Sequence, residues 1–378
     1  MLAAPTLSPR ERACPTRSGE GTMDFYLRTR GQRYTRPAMV RHAPFLVGKL
    51  PPRMLEALLA SCPSPRSSGV VVGPRFGEDA AVIDMGPKYL VAKTDPITFA
   101  AEHIGWNAVH INANDVVTLG ARPRWFLATL LLPEGQTNSA LARSIFQDVL
   151  RACRALGVTL CGGHTEITEG LHRPIVVGQM LGEVEKSKLV RKETQQPGDL
   201  VILTRGIALE GTAILARERG TMLERRVGPA AVRRARRLLF HPGVSVVRAA
   251  RIALRYGEIH AMHDPTEGGL LSGLYELARA GRVGLCVWKE KVPVLAETCA
   301  FSQMLDFDPF ALIASGALLV VASPRTVPKL LRAYARNKIP AAVIGEVRPE
   351  SKGILIVDHG RAVPLRVPPR DEIARLLG

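Results

Sequence analysis

The chain is poor in the features that mark membrane, disulfide-stapled and nucleic-acid-reading proteins. No run of 18 apolar residues escapes a charge, which excludes a membrane-spanning helix. The six cysteines, Cys14, Cys62, Cys153, Cys161, Cys286 and Cys299, contain no C-x-x-C pair and no Cys/His cluster suited to zinc. They read as free thiols of a reducing cytoplasm. Aromatic residues are only 5% of the chain and do not interleave with basic ones, so specific reading of nucleic acid has no platform. The phosphate loop G-x-x-x-x-G-K-[ST], a dinucleotide G-x-G-x-x-G after a strand, and the G-x-S-x-G nucleophile elbow are all missing. A nucleotide would therefore have to be held through bridging metals and backbone amides.

What is present is a globular composition. The 378 residues are 46% hydrophobic and 22% charged, enough for two domains with separate cores. The net charge of +17 is local: residues 1–53 carry +7 and residues 215–255 carry +9. A basic tail and an Arg-studded helical region can attract polyanions weakly. Residues 1–44, rich in Arg, Pro, Ser and Gly, read as a disordered or loosely attached extension. Apolar spacing predicts a helix from Leu50, with Met54, Leu55, Leu58 and Leu59 on one stripe. From 45 to 185 the pattern alternates between strand and helix periods and reads as one α/β domain. A Pro-Gly turn at Gln195–Gly206 opens a second, spanning 195–350, followed by a tail at 351–378.

Four segments carry the candidate chemistry. GEDAAVIDMGPKYLVAKTDP, Gly77 to Pro96, reads as a hairpin centred near Pro87. That centre sets Asp79 opposite Asp95, about 5 Å apart, where like charges repel unless a cation intervenes or one acid is protonated. Two solvated strand ends would look the same. On the following helix, Ile104, Ala108, Ile111, Asp115 and Leu119 share one stripe, with Asn112 a turn before Asp115. A carboxylate among apolar neighbours needs a metal, a salt bridge or a capping role. GGHTE, Gly162 to Glu166, reads as a ligand-approach turn at the carboxyl end of the strand TLC. HDPTEGG, His263 to Gly269, precedes a helix, and two glycines at its start form an anion site. There Asp264 or Thr266 would cap the helix.

The segments GEDAAVI, KTDP, NANDVVTLGARP, GGHTE, PGDLVILTRGIALEGTAILA and HDPTEGGL occur in this order over roughly residues 45–350. In this the chain resembles the aminoimidazole ribonucleotide (AIR) synthetase superfamily, on the side of the hydrogenase-maturation and AIR synthase-related proteins. The resemblance implies an α/β (α+β) fold of two domains, the N-terminal ones pairing into a barrel at a homodimer interface. It implies ATP, with Mg²⁺ on Asp79, Asp95, Asp115 and Asp264. Nucleotide contacts would fall on Asp95, Asn112, Gly162, Gly163, His164, Thr165, Gly268 and Gly269. His164 departs from the acidic residue that several branches carry after the two glycines. A second departure is the absence of a Cys after Cys299, where the hydrogenase-maturation protein has a carbamoyl-accepting terminal thiol. The expectation is a cytoplasmic ATP-dependent enzyme that activates a small-molecule substrate by phosphoryl transfer, with a maturation partner protein. A non-catalytic ATP-binding scaffold and a polyanion-binding protein are the alternatives from other classes.

Overall fold

The computed structural model describes residues 44–62, 69–99 and 102–377, so the expected extension lies almost wholly outside the described residues. The first described helix, α1 (Pro52–Ala60), begins on Pro51–Pro52 as the fixed proline φ favours, and leaves Met54 and Leu58 exposed.

The alternating segment builds a six-stranded sheet from β1 (Val70–Val72), β2 (Ala81–Asp84), β3 (Lys88–Ile97), β4 (Arg122–Pro133), β5 (Thr159–Thr168) and β6 (Ile175–Glu185). Its order is β1-β2-β3-β6-β4-β5. Helices α2 (Ile104–Thr118) and α3 (Ser139–Leu156) cross between strands. α2 lies against β3 and β6, with Val82, Val91, Phe126, Val176 and Met180 fully buried in the core they share. A Cβ at Gly178 of β6 would collide with the Asn112 carboxamide, so this glycine lets the helix approach the sheet. α3 is capped by Asn138, whose side chain accepts from Leu141 N, and stopped by Gly157 at φ +66°.

The second sheet uses β7 (Leu200–Thr204), β8 (Ile259–His263), β9 (Gly284–Trp288), β10 (Leu318–Ala322), β11 (Ala341–Arg348), β12 (Ile354–Asp358) and β13 (Arg361–Pro364). Their order is β13-β12-β9-β11-β7-β10-β8. β7 and β10 are buried almost completely, as their unbroken apolar runs require. Between β7 and β8 stand α4 (Leu209–Glu218), α5 (Gly220–Val227), α6 (Pro229–Arg237) and α7 (Val247–Tyr256). The remaining helices are α8 (Gly269–Gly281), α9 (Ala296–Leu305), α10 (Val327–Arg336) and α11 (Glu372–Leu377). β12 and β13 carry this sheet past residue 350, where the sequence reading starts a tail. The Arg-rich helices bury Leu223, Val232, Ala235 and Ala249 and turn their arginines outward, as amphipathic helices do.

Asn114 of α2 ties the two halves together: its Nδ2 donates to Val244 O at 2.9 Å and its Oδ1 accepts from Val246 N at 2.8 Å. No helix among the described residues is long and apolar enough to cross a membrane.

Candidate functional site

The acids meet in a buried cleft between the halves. Asp79 sits on the loop before β2, Asp115 in the last turn of α2, and Asp264 directly after β8. One carboxylate oxygen from each lies within 4.8 Å of the other two. All three residues are at most 5% exposed.

Their partners differ. Asp79 Oδ1 accepts from Lys192 Nζ at 2.8 Å and pairs with His263 Nδ1 at 2.7 Å, while Oδ2 accepts from Thr118 Oγ1 at 2.7 Å. Burial alone would raise its pKa, but His263 and Lys192 overcome that and hold it well below the usual range. Asp115 has one ion pair, Lys93 Nζ at 3.3 Å from Oδ2. Burial pushes its carboxyl up to about 7 against that pull. Asp264 has no hydrogen-bond partner on either oxygen among the described residues. Burial, then the charges of Asp115 and Asp79, raise it far above an ordinary carboxyl. Two of three clustered acids are thus short of positive charge. Unsatisfied hard oxygens facing one another fit a divalent cation of the Mg²⁺ type.

The expected pairing of Asp79 with Asp95 does not occur. Ala81 pairs with Ala92 and Asp84 with Tyr89, so the hairpin centres between Gly86 and Pro87, and the ladder starts after Asp79. Asp95 faces Gly178 of β6 instead. It shares a face of β3 with Lys93, whose Nζ is 3.9 Å from its Oδ2, and it stands outside the acid trio. Asn112 is fully buried and donates to Asp95 O at 3.2 Å and Ala108 O at 2.9 Å, so it positions the β3 backbone.

The glycine pair at Gly268–Gly269 is not an open anion site. Gly268 N donates to Asp371 Oδ2 at 2.6 Å, and Gly269 N to Thr266 O at 3.0 Å. The pair is there for geometry. Gly268 has φ +78° and Gly269 φ +63°, and a Cβ on Gly269 would stand 2.5 Å from Phe310 O. Neither Asp264 nor Thr266 caps α8 through its side chain; the N-cap is Gly268. GGHTE is not a turn after a strand either. Gly162, Gly163, His164, Thr165 and Glu166 lie inside β5, exposed at the edge of the sheet. Gly162 to Thr165 border a separate cavity with Phe146 and Leu160, which none of the acid trio lines. Cys161 on the same strand is exposed.

Several residues escaped the sequence reading. Lys192, 2% exposed, reaches Gly77 O and Asp79 from the segment that joins the two sheets. His263 bridges Asp79 to Glu276 Oε2, 3.1 Å from its Nε2. Lys49 then pairs with Glu276 at 3.1 Å. Lys93 and His263 stood inside quoted motifs without a role; isolated lysines at 49 and 192 carry no periodic signal.

The family described as AIR synthase related protein, N-terminal domain, matches residues 77–184, and its C-terminal domain counterpart matches residues 196–358. The carbamoyl dehydratase HypE of Azotobacter vinelandii is 30% identical over 300 residues, 77% of this chain and 82% of that protein. A crystal structure of the hydrogenase maturation protein HypE in complex with ATP superposes with a TM-score of 0.64 at 25% identity, covering 78% of this chain and 90% of that one. Thiamine monophosphate kinase from Aquifex aeolicus shares the fold, with a TM-score of 0.60 at 20% identity over 76% of this chain and 92% of that one. The chain therefore belongs to the AIR synthase-related family, with hydrogenase expression and maturation proteins among its relatives.

Proposed function

We propose that the chain is an ATP- and Mg²⁺-dependent enzyme that activates a small acceptor by phosphoryl transfer. The observation that carries this reading is the buried trio of Asp79, Asp115 and Asp264, with both oxygens of Asp264 unsatisfied among the described residues. A related structure with ATP bound supports the nucleotide. Asp79, Asp115 and Asp264 would hold the metal, which when bound neutralises phosphate charge and polarises the transferred group. Thr118 and His263 fix the orientation of Asp79, and Lys93 offers a cation beside Asp115 and Asp95. Burial of the three carboxylates strengthens the action of these charges on a polyphosphate. A homodimer, a maturation partner protein and a cytoplasmic location belong to the same proposal. The exposed edge strand β5, with Ile167 on it and Phe146 beside its cavity, supports a pairing surface there.

The test combines calorimetry of ATP, with and without Mg²⁺, and positional isotope exchange in ATP labelled with ¹⁸O at its β–γ bridge. The expected result is Mg²⁺-dependent binding lost in Asp264→Asn, with scrambling of the label that depends on an added acceptor. Metal-independent ATP binding equal in wild type and variant would defeat the metal assignment. Binding without scrambling or ADP release under any acceptor would leave ATP as a structural ligand and defeat the transfer step.

A further inference from the structure

Next to the acid trio is a small pocket that the reading above does not use. It is bordered by Asp95, Thr266, Glu267, Glu210, Ser315 and Ile111, and holds about 10 Å³, room for one water-sized group. Glu210 stands in the first turn of α4 and is 2% exposed; Ser315 is fully buried. Glu210 Oε1 has one long contact, from Asn107 Nδ2 at 3.5 Å. Glu210 Oε2 and Ser315 Oγ have no well-formed hydrogen bond among the described residues, though Ser315 lies close enough to Glu210 to act on its carboxyl. Buried acceptors of this kind normally find partners, and an orphaned one costs about 1–3 kcal/mol. Neither residue hydrogen-bonds to the acid trio; Asp95 on the pocket wall connects to it only through Lys93.

We infer that the pocket receives a small monovalent cation of ammonium type, either the –NH₃⁺ end of the acceptor or a free ammonium ion. The lining decides the chemistry. The carboxyls of Asp95, Glu210 and Glu267 and the hydroxyls of Thr98, Thr266 and Ser315 surround a volume that fits one nitrogen with its hydrogens; Lys93 and Lys49 stand 3.9 Å from Asp95 and Glu267, and Glu210 has no such cation among the described residues. An anion would face three carboxyl groups and find only hydroxyls to donate to it. An ammonium nitrogen carries several donors, enough for Glu210 Oε2 and Ser315 Oγ together with Asp95 or Glu267. A bulkier cation without N–H groups would fit neither the volume nor the hydrogen bonds. This deepens the proposed function by naming one end of the acceptor, and rests on that reading for its place beside the phosphates.

The experiment uses full-length protein without ATP or Mg²⁺, at constant ionic strength. Thermal stability is followed against ammonium, methylammonium, potassium and tetramethylammonium chlorides in wild type, Glu210→Gln, Ser315→Ala and Asp264→Asn. Burial pushes Glu210 up to about 8, so a neutral glutamine is a close substitute for the ligand-free fold. The expected result is saturable stabilisation by ammonium in wild type and Asp264→Asn, with the apparent dissociation constant raised at least tenfold in Glu210→Gln and also raised in Ser315→Ala. Methylammonium matching ammonium identifies an acceptor's amine end; ammonium acting alone identifies the free ion. Potassium or tetramethylammonium matching ammonium overturns the requirement for N–H donors. No selective stabilisation in wild type, the result expected of a bound water only, overturns the proposal outright. Because neither nucleotide nor metal is present, that failure leaves the phosphoryl-transfer reading standing.

Discussion

Asp371→Ala is expected to lower the unfolding free energy by about 3 kcal/mol, because one buried carboxylate holds three separate pieces of backbone. Asp371 accepts from Gly268 N at 2.6 Å, Ile373 N at 2.7 Å and Ile313 N at 3.2 Å. The first lies at the start of α8, the second opens α11, and the third precedes β10. Alanine leaves all three donors without this acceptor, at about 1 kcal/mol each, and more where water cannot enter. Asp371→Asn divides the effect. Its carbonyl oxygen can replace Oδ1 for Ile313 and Ile373, while its amide faces Gly268 N–H donor to donor, a loss of about 1–2 kcal/mol. The acid also titrates. Burial is the main cause that pushes it from 3.8 up to about 7, so the fold holds its proton more tightly than the unfolded chain does. Stability from this group is greatest below about pH 4 and declines as pH rises through about 7. The gap between wild type and Asp371→Ala should therefore be wider at pH 5 than at pH 8. Urea unfolding at both pH values measures this, with unchanged m-values as the check on the unfolded state. A loss under about 1 kcal/mol for alanine, or asparagine falling below alanine, would refute the three-donor account.

Asp264→Asn should leave metal-free stability within about 1 kcal/mol of wild type, since neither oxygen gives up a bond. The same variant should lose the rise in melting temperature that Mg²⁺ with ATP gives the parent, read by calorimetry. Glu276 is held down at about 2, with Lys49 and His263 overcoming the effect of burial. Its contribution is complete above about pH 4.5 and disappears as pH falls through about 2. Glu276→Gln should remove up to about 3 kcal/mol of that acid dependence, seen as a flatter stability profile between those limits. Gly269→Ala should cost several kcal/mol, from the positive φ and from the Cβ set 2.5 Å from Phe310 O. Near-wild-type unfolding of that variant would mean that the loop of Phe310 yields easily.

Strands and helices were largely legible. DAAVID, WFLATLLL and ALLVVAS fall in β2, β4 and β10, because short apolar runs between turn residues leave few alternatives. Asp79, Asp115 and Asp264 were legible as acids in apolar or glycine-rich settings. Asp95 failed on register: a turn centre half a residue away and a ladder that stops at Ala81 detach it from Asp79. The glycine pair at 268–269 was seen for its rarity, but sequence cannot separate a glycine that admits a ligand from one that admits neighbouring backbone. Gly162–Glu166 continues a strand because β4 runs beside it over its whole length, a tertiary fact with no local sign. Lys192 was invisible because its role depends on where a linker passes after both sheets have formed.

The chain of contacts from Asp79 through His263 to Glu276 has a consequence for biosynthesis. Asp79 and His263 are 184 residues apart in sequence. At about 5–20 residues per second, a ribosome makes the first acid roughly ten to forty seconds before its imidazole partner emerges. During that interval the first sheet can close, yet Asp79 has neither His263 nor Glu276 to complete its network. The setting of Asp79 is therefore finished only after β8 has been made, by a histidine that reaches an acid already waiting beside the first sheet.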